Sequence, residues 1–428
     1  MLSKSFFGYA QPAFSYELLN IALPQPKDVV PAETLTLLLP REMGVAPSDK
    51  IKVGAKVKTG QKLTWDDQPG PAVISSVTGT IQAVTSYSSD YGRKYTAIAV
   101  KPDKTDVLDD QFAAASQDPT LQTLIDYFSS APGAAPLAKL ANPKKPIHTI
   151  VVYGGDTDLL VESNLYILKR RMDDVNQGIK RLRELSGVQK VVLAVPEESL
   201  QNLDDHFASD IQAVSNAYPG GQPLMVCYQL FGRMPGQGQS FEDLGVFFMR
   251  AEAVAAIGKA FTDGQVPVEK ILTVLDKKGQ KHLVAARIGT PIGDILRRLK
   301  ISLQDRDRII FGGPMTGTAV YAEDQPVAPD TDAIMVQDSS QIVLSSEYPC
   351  INCGECVRIC PAKIQVHMLE RFLEAGQYQN GADLYDLYSC VECGLCAIVC
   401  PSRIPILQYI KLAKFELARA IPAEEENE

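Results

Sequence analysis

At 428 residues the chain is too long for one core of ordinary size, and roughly 150 residues per domain suggests about three domains. Its 45% apolar and 22% charged composition excludes wholesale disorder. A net charge of −9 argues against a general nucleic-acid binder, and no apolar run reaches the roughly 18 residues a membrane span needs. The N-terminal stretch from Met1 to Phe14 has one lysine, is broken by Gly8 and Pro12, and lacks the long apolar core of a signal peptide.

Residues 1–112 read as β-structure, with short strands such as Leu35–Leu39 and Tyr95–Val100 bounded by Gly, Pro, Asp and Ser clusters. The Val-rich pieces 51–63 and 74–81, with glycine at their turns, resemble the flattened β-sandwich of biotinyl and lipoyl carrier domains. A carrier needs an exposed lysine at a hairpin tip. The tip region Trp65 to Pro71 has none, so a scaffold is expected. Residues 113–147 read as a helix followed by a Pro/Ala/Gly linker from Ser130 to Lys139.

Residues 148–262 alternate in an α/β manner. Strands are expected at His148–Tyr153, Val191–Val195 and Leu224–Tyr228, and helices at Glu162–Leu185 and Leu200–Ala217. Helices of this length between strands imply a Rossmann-like parallel sheet. Cys227 is expected to be a buried structural thiol. Residues 268–340 return to β-rich character, with strands Ile271–Leu275, His282–Ala286 and Arg308–Phe311 and a helix Ile292–Leu299. The loop Gly312–Gly317 could let backbone approach a ligand closely.

The chemistry concentrates in residues 346–420. Of nine cysteines, eight fall here, in two copies of C-x2-C-x2-C-x3-C-P: Cys350, Cys353, Cys356, Cys360 with Pro361, and Cys390, Cys393, Cys396, Cys400 with Pro401. This is the two-cluster bacterial ferredoxin spacing, in which the fourth cysteine ligates the other cluster. One [4Fe–4S] cluster takes Cys350, Cys353, Cys356 and Cys400, and the second takes Cys390, Cys393, Cys396 and Cys360. Soft thiolates select iron–sulfur or zinc over hard cations, and the tripled x2 spacing with Cys-Pro is unusual for zinc. Gly354 and Gly394 give the loops freedom in φ, and each Pro fits the first turn of a helix. His367, on an expected helix Val366–Glu374, reads as a solvated residue rather than a ligand. An apolar helix, Ile406–Leu417, and an acidic tail, 421–428, complete the chain. No catalytic residue set is evident.

The order of these parts resembles the RnfC family, the C subunits of the Rnf ion-translocating electron-transport complex. The matching stretches are 52–61, 287–292, Gly312–Gly317, both cysteine motifs and 400–411. The resemblance implies a multidomain α/β and β protein in which 268–340 is a β-grasp module. It implies a peripheral subunit at the cytoplasmic face, passing electrons through two [4Fe–4S] clusters to or from membrane subunits. A soluble donor or acceptor is also implied: ferredoxin, NADH or another redox protein. Family members carry a Gly-Gly-Ala-Gly-Phe-Pro loop for FMN and NADH and a turn Asn-Gly-Ala-Glu-Cys-Glu-Pro. Here Ala131-Pro132 replace the first glycines, Ala134-Ala135-Pro136 replace Gly-Phe-Pro, and the turn is Tyr153 to Leu159. Gly154, Gly155, Asp156 and Asp158 are therefore the remnant cofactor-binding candidates. FMN and NADH are expected to bind weakly or not at all. The competing functions are an NADH-oxidising flavin subunit, a corrinoid-reducing relative built from the same modules, and a scaffold whose clusters are structural.

Overall fold

The computed structural model describes residues 12–17, 24–30, 33–40, 51–65, 72–89, 94–202, 210–236, 238–345 and 348–425. The hairpin-tip segment 66–71 and most of the N-terminal stretch lie outside the described residues.

The first strands in the chain are β1 (Lys27–Asp28), β2 (Leu35–Pro40), β3 (Lys56–Val57), β4 (Lys62–Thr64), β5 (Ala72–Ile74), β6 (Gly79–Ser88) and β7 (Lys94–Pro102). Strands β2, β7, β6 and β3 form one antiparallel sheet in that order, and β4 pairs with β5. The period of two is visible in β2: Leu35, Leu37 and Leu39 are fully buried and the residues between them are not. They pack with Trp65, Val73, Ile81 and Ile98 into a closed apolar core.

The expected helix after residue 113 is two, α1 (Gln111–Ala115) and α2 (Leu121–Phe128). Pro119 separates them, and Thr120 starts the second with a reciprocal cap to Thr123.

The α/β unit contains β8 (Thr149–Tyr153), α3 (Ser163–Arg170), α4 (Met172–Ser186), β9 (Lys190–Pro196), β10 (Asp210–Val214), α5 (Pro223–Phe231), β11 (Val246–Arg250) and α6 (Ala251–Asp263). Its sheet runs β10–β9–β8–β11 with every pair parallel. Two expectations fail here. Leu224–Tyr228 is helix rather than strand, because Pro223 occupies the first turn and left-handed Gly232 closes the end. Helix Leu200–Ala217 is replaced at its C-terminal part by β10, and 203–209 lie outside the described residues. Helix 162–185 is broken at Arg171 into α3 and α4. Helices α4 and α6 cross backbone to backbone: a Cβ on Gly178 would lie 2.0 Å from the Val254 carbonyl oxygen.

The third unit contains β12 (Glu269–Leu275), β13 (Lys281–Arg287), α7 (Ile292–Leu299), β14 (Arg308–Phe311), β15 (Thr318–Val320) and β16 (Ala333–Gln337). The mixed sheet runs β1–β13–β12–β16–β14–β15. The short β1 thus leaves its sequence neighbours and pairs in parallel with β13. The C-terminal unit is helical: α8 (Glu355–Ile359), α9 (Val366–Glu374), α10 (Tyr378–Tyr385), α11 (Leu395–Val399) and α12 (Ile406–Glu425). Its core gathers Leu369, Leu373, Leu387, Ile410 and Ala413. Helix runs on to Glu425, into the expected acidic tail; 426–428 lie outside the described residues. Among the described residues no helix is long and apolar enough to cross a membrane.

A buried ionic network ties the α/β unit to the mixed sheet. Lys270 of β12, with no exposed surface, pairs with Glu252 of α6 and lies 2.9 Å from Asp332, which receives Arg250 of β11 at 2.8 Å. Two cations and two carboxylates neutralise one another, so removing one strands the others in a dry interface. Replacing Lys270 with Ala is expected to cost about 3–5 kcal/mol, read as a fall in the denaturant midpoint.

Candidate metal centres

The two cysteine motifs fold alike because they repeat the same backbone. Left-handed residues recur at the same places: Asn352, Gly354 and Lys363 in the first copy, and Glu392, Gly394 and Arg403 in the second. Each motif wraps a short loop, enters a one-turn helix (α8 or α11), leaves at Cys-Pro, and turns into the next helix, α9 or α12. The reversal after Cys-Pro returns each chain past the other copy. Cys350, Cys353, Cys356 and Cys400 line one small cavity. Cys360, Cys390, Cys393 and Cys396 line a second. Each cavity therefore collects three thiols from one copy and the fourth from the other.

Burial sets the proton affinity of these thiols. Burial, then the neighbouring thiols of Cys353, Cys350 and Cys400, push Cys356 up to about 11. Burial pushes Cys390 up to about 12 and Cys393 up to about 11, and raises Cys396 further, with contributions from both motifs. Such groups keep their protons without a metal and lose them when a metal supplies the compensating charge. Backbone supports the anionic form: the Glu392 N–H donates to Cys390 Sγ at 3.4 Å. Four thiols line each cavity. A four-iron cube held by a thiolate at each iron fits that donor set.

The cavities differ in their surroundings. Cys353 is exposed and Cys350 and Cys400 are half-buried, whereas all four cysteines of the second cavity are buried. His367 and Glu370, from one face of α9, line the first cavity. His367 is thus half-buried against the cysteines rather than simply solvated, a role that its isolation in the sequence did not signal. Burial and then Glu374 push Glu370 up to about 7. Cys227 lies on α5, 1% exposed, as a structural thiol should.

The remnant cofactor candidates separate into two groups. Gly154, Gly155 and Asp156 lie behind the sheet end. A Cβ on Gly155 would strike the Tyr153 ring hydroxyl at 2.5 Å. Asp156 caps α3, accepting from the N–H groups of Asn164 at 2.9 Å and Leu165 at 3.2 Å and from the Ser163 hydroxyl at 3.0 Å. Asp158 lines a cleft of about 890 Å³ together with Ser130, Ala134, Gly312, Gly313 and Lys414. The segments that the family resemblance singled out therefore do meet around one cleft. The carboxylate of Asp158, however, is filled by protein: it accepts from the N–H of Met315 at 3.1 Å, the N–H of Thr316 at 2.8 Å and the Thr316 hydroxyl at 2.6 Å.

That clasp seats Gly312–Gly317 on the second cysteine motif. A Cβ on Gly394 would lie 2.6 Å from the Met315 carbonyl oxygen, and Lys411 Nζ donates to the Thr316 carbonyl at 2.6 Å. Nearby, the Tyr218 hydroxyl donates to the Cys393 carbonyl at 2.7 Å. The close approach expected of the glycine loop is real, and what it approaches is Asp158 and the motif. Asp158→Ala is expected to free four donors, the Leu159 N–H among them, and lower stability by about 1.5–3 kcal/mol, measurable as a shift in the urea midpoint.

Comparison with known proteins agrees with this layout. Residues 25–105 match the RnfC barrel sandwich hybrid domain, and residues 349–404 match a 4Fe-4S dicluster domain. The chain is 27% identical over 425 residues to the C subunit of the ion-translocating oxidoreductase complex of Edwardsiella ictaluri, covering 94% of this chain and 53% of that protein. The corresponding C subunit of Pasteurella multocida is 27% identical over 400 residues, covering 87% and 47%. The chain spans about half the length of the curated relatives it matches. A crystal structure of an NAD+-reducing [NiFe]-hydrogenase superposes with a TM-score of 0.42 at 15% identity, covering 64% of this chain and 54% of that one. Along about nine-tenths of its length, the chain is similar to the C subunits of ion-translocating oxidoreductase complexes, with matches to a barrel sandwich hybrid domain and a 4Fe-4S dicluster domain.

Proposed function

We propose that the chain is an electron-transfer subunit of an Rnf-type, membrane-bound and ion-translocating redox complex. The observation that carries this reading is the exchange of fourth cysteines between two adjacent four-thiol cavities. In the proposal Cys350, Cys353, Cys356 and Cys400 hold one [4Fe–4S] cluster and Cys390, Cys393, Cys396 and Cys360 hold the other. Clusters so held supply one-electron transfer at neighbouring sites. The chain's own residues bind them, exclude water around the second, and fix the two at a constant separation. Membrane subunits and a soluble redox protein are the partners of the proposal, and the cytoplasmic membrane face is its location. The all-parallel sheet within 148–262 supports a Rossmann-like unit there. The mixed sheet with α7 supports a β-grasp module within 268–340, and 346–420 is the cluster domain.

The proposal leaves FMN and NADH out of this chain's own chemistry. Phosphate binding needs free backbone N–H groups. In the loop 131–137, those of Ala131, Gly133, Ala134 and Leu137 donate to carbonyls of the protein, and Pro132 and Pro136 have none. Ala134 holds a left-handed backbone at φ 43°, with its side chain in the cleft.

Anaerobically purified protein is expected to hold about eight iron and eight sulfide per chain. Cys353→Ser should damage one cluster and Cys393→Ser the other. Cys360→Ser should damage the cluster held mainly by the second motif, and zinc or four iron in total would sink the reading. Co-purification with membrane subunits separates this role from corrinoid reduction. In the same preparation, flavin should be substoichiometric and NADH should not bleach the cluster absorbance. Stoichiometric FMN with fast NADH-driven bleaching would restore a flavin-dependent NADH oxidase.

A further inference from the structure

Apart from its cysteines, the second cavity is walled by Val366, Val391, Leu395, Leu407 and Ile410, and among the described residues that line it none is charged. A cation nevertheless reaches its edge. Lys414 of α12 donates from Nζ to the Cys390 carbonyl at 2.9 Å and to the Glu392 carboxylate at 2.7 Å. Glu392 stands between Cys390 and Cys393, and its backbone N–H donates to Cys390 Sγ at 3.4 Å. One ammonium therefore grips both ends of the turn that aims this N–H at the sulfur.

The internal repeat shows what the grip adds. Each cysteine of the first motif recurs forty residues later, as Cys350 does at Cys390. The same offset sets Asn352 against Glu392 and Glu374 against Lys414. An ionised carboxylate cannot donate to a carbonyl, so Glu374 cannot make this clamp. The first loop still takes the left-handed backbone at Asn352 and Gly354 that the second takes at Glu392 and Gly394. Folding of the motif therefore does not require the clamp. The first motif has a different cation, Arg358, which donates to the Cys353 carbonyl at 3.0 Å, and its counterpart in the second copy is Ile398. Each motif recruits its cation separately.

Reduction adds one electron to a cluster. A cation beside it, and an N–H aimed at a ligand sulfur, stabilise the reduced form and raise the potential, whereas a carboxylate opposes them. Lys414 supplies the charge and steadies the N–H, and the Glu392 side chain works against it. Both line the wide cleft, with 20% and 37% of their side chains exposed, so water solvates the two charges and no buried-charge penalty opposes them.

We infer that Lys414 is a positioning residue for the second cluster: it holds the Glu392 N–H on Cys390 and keeps a positive charge beside the cluster, raising that cluster's reduction potential. Lys414 ligates no iron. This role rests on the proposed assignment of a [4Fe–4S] cluster to the second cavity.

The test is a dithionite titration of the anaerobically purified full chain, followed by electron paramagnetic resonance. Cys353→Ser identifies the signal of the first cavity, and the other signal is then the one to follow. Lys414→Met, which keeps the apolar stem and removes charge and donor, should lower the second cluster's potential and leave the first unmoved. Lys414→Arg should hold it near the unmodified value. Glu392→Gln keeps the backbone N–H and removes the opposing charge, so it should raise the same potential. Shifts of opposite sign from the two members of one ion pair are not produced by loosened packing. An unmoved potential in Lys414→Met, a shift of both variants in one direction, or no recovery in Lys414→Arg would overturn the inference. If Lys414→Met fails to hold iron in the second cavity, Glu392→Gln decides alone, and an unmoved or lowered potential there overturns it. Failure of the unmodified chain to hold two clusters, read by iron content, would overturn the underlying assignment instead.

Discussion

The exchange of Cys360 and Cys400 between cavities is the constraint on which the C-terminal helical unit depends. Neither motif can complete a four-thiol site from its own four cysteines, so each copy's stability is tied to the other's. The exchange also dictates the helices. After Cys-Pro the chain must turn back, and Lys363 and Arg403 take left-handed conformations to do so. It then launches α9 and α12, whose apolar faces meet between the cavities at Leu369, Ile410 and Ala413. A small core of this kind gains its order from metal and packing together. Burial raises the thiols' proton affinity, so the unloaded site and the loaded site differ by several coupled protons.

This unit is held to the rest of the molecule by polar contacts that converge on backbone. Asp158 fixes Met315 and Thr316, the loop they belong to abuts Gly394, Lys411 reaches back to Thr316, and Tyr218 reaches the carbonyl of a cysteine. Tyr16, Leu159, Met315, Val391 and Leu395 close an apolar patch around these bonds and keep water from competing with them. The ionic network of Lys270, Glu252, Asp332 and Arg250 does the same between the α/β unit and the mixed sheet. The second cavity therefore sits against a rigid scaffold, while the first faces outward.

Local signals in the sequence were enough for elements with one dominant determinant. The helices at 292–299 and 366–374 and the strand 308–311 were legible because their apolar period, or their β-branched run between turn residues, had no rival. Leu224–Tyr228 misled because a five-residue apolar run has no readable period, and the Pro223 and Gly232 punctuation outweighed it. β10 was hidden because Asp210, Gln212 and Ala213 are exposed and break any apolar alternation, and only pairing with β9 defines it. The cysteine cavities were legible as spacing. The place of His367 and Glu370 beside the first cavity was not, since it emerges only when α9 is laid against Cys350 and Cys400.

The acidic turn shows that acidity in a sequence need not mark a free carboxylate. Asp156 and Asp158 retain acidity where the family pattern has it, which on sequence alone suggests a surviving ligand site. Their oxygens are committed elsewhere: one carboxylate ends a helix and the other secures the loop against the second motif. Burial pushes Asp156 up to about 6, and the helix N–H bonds oppose that shift, as expected of a cap. The carbonyls that take up the N–H groups of Ala131, Gly133, Ala134 and Leu137 likewise belong to the protein. The bonds of Asp158, Lys411 and Tyr218 that seat the second cysteine motif are also made within the chain. The loop 131–137 makes none of them, so its sequence can vary while the two thiol cavities keep their support.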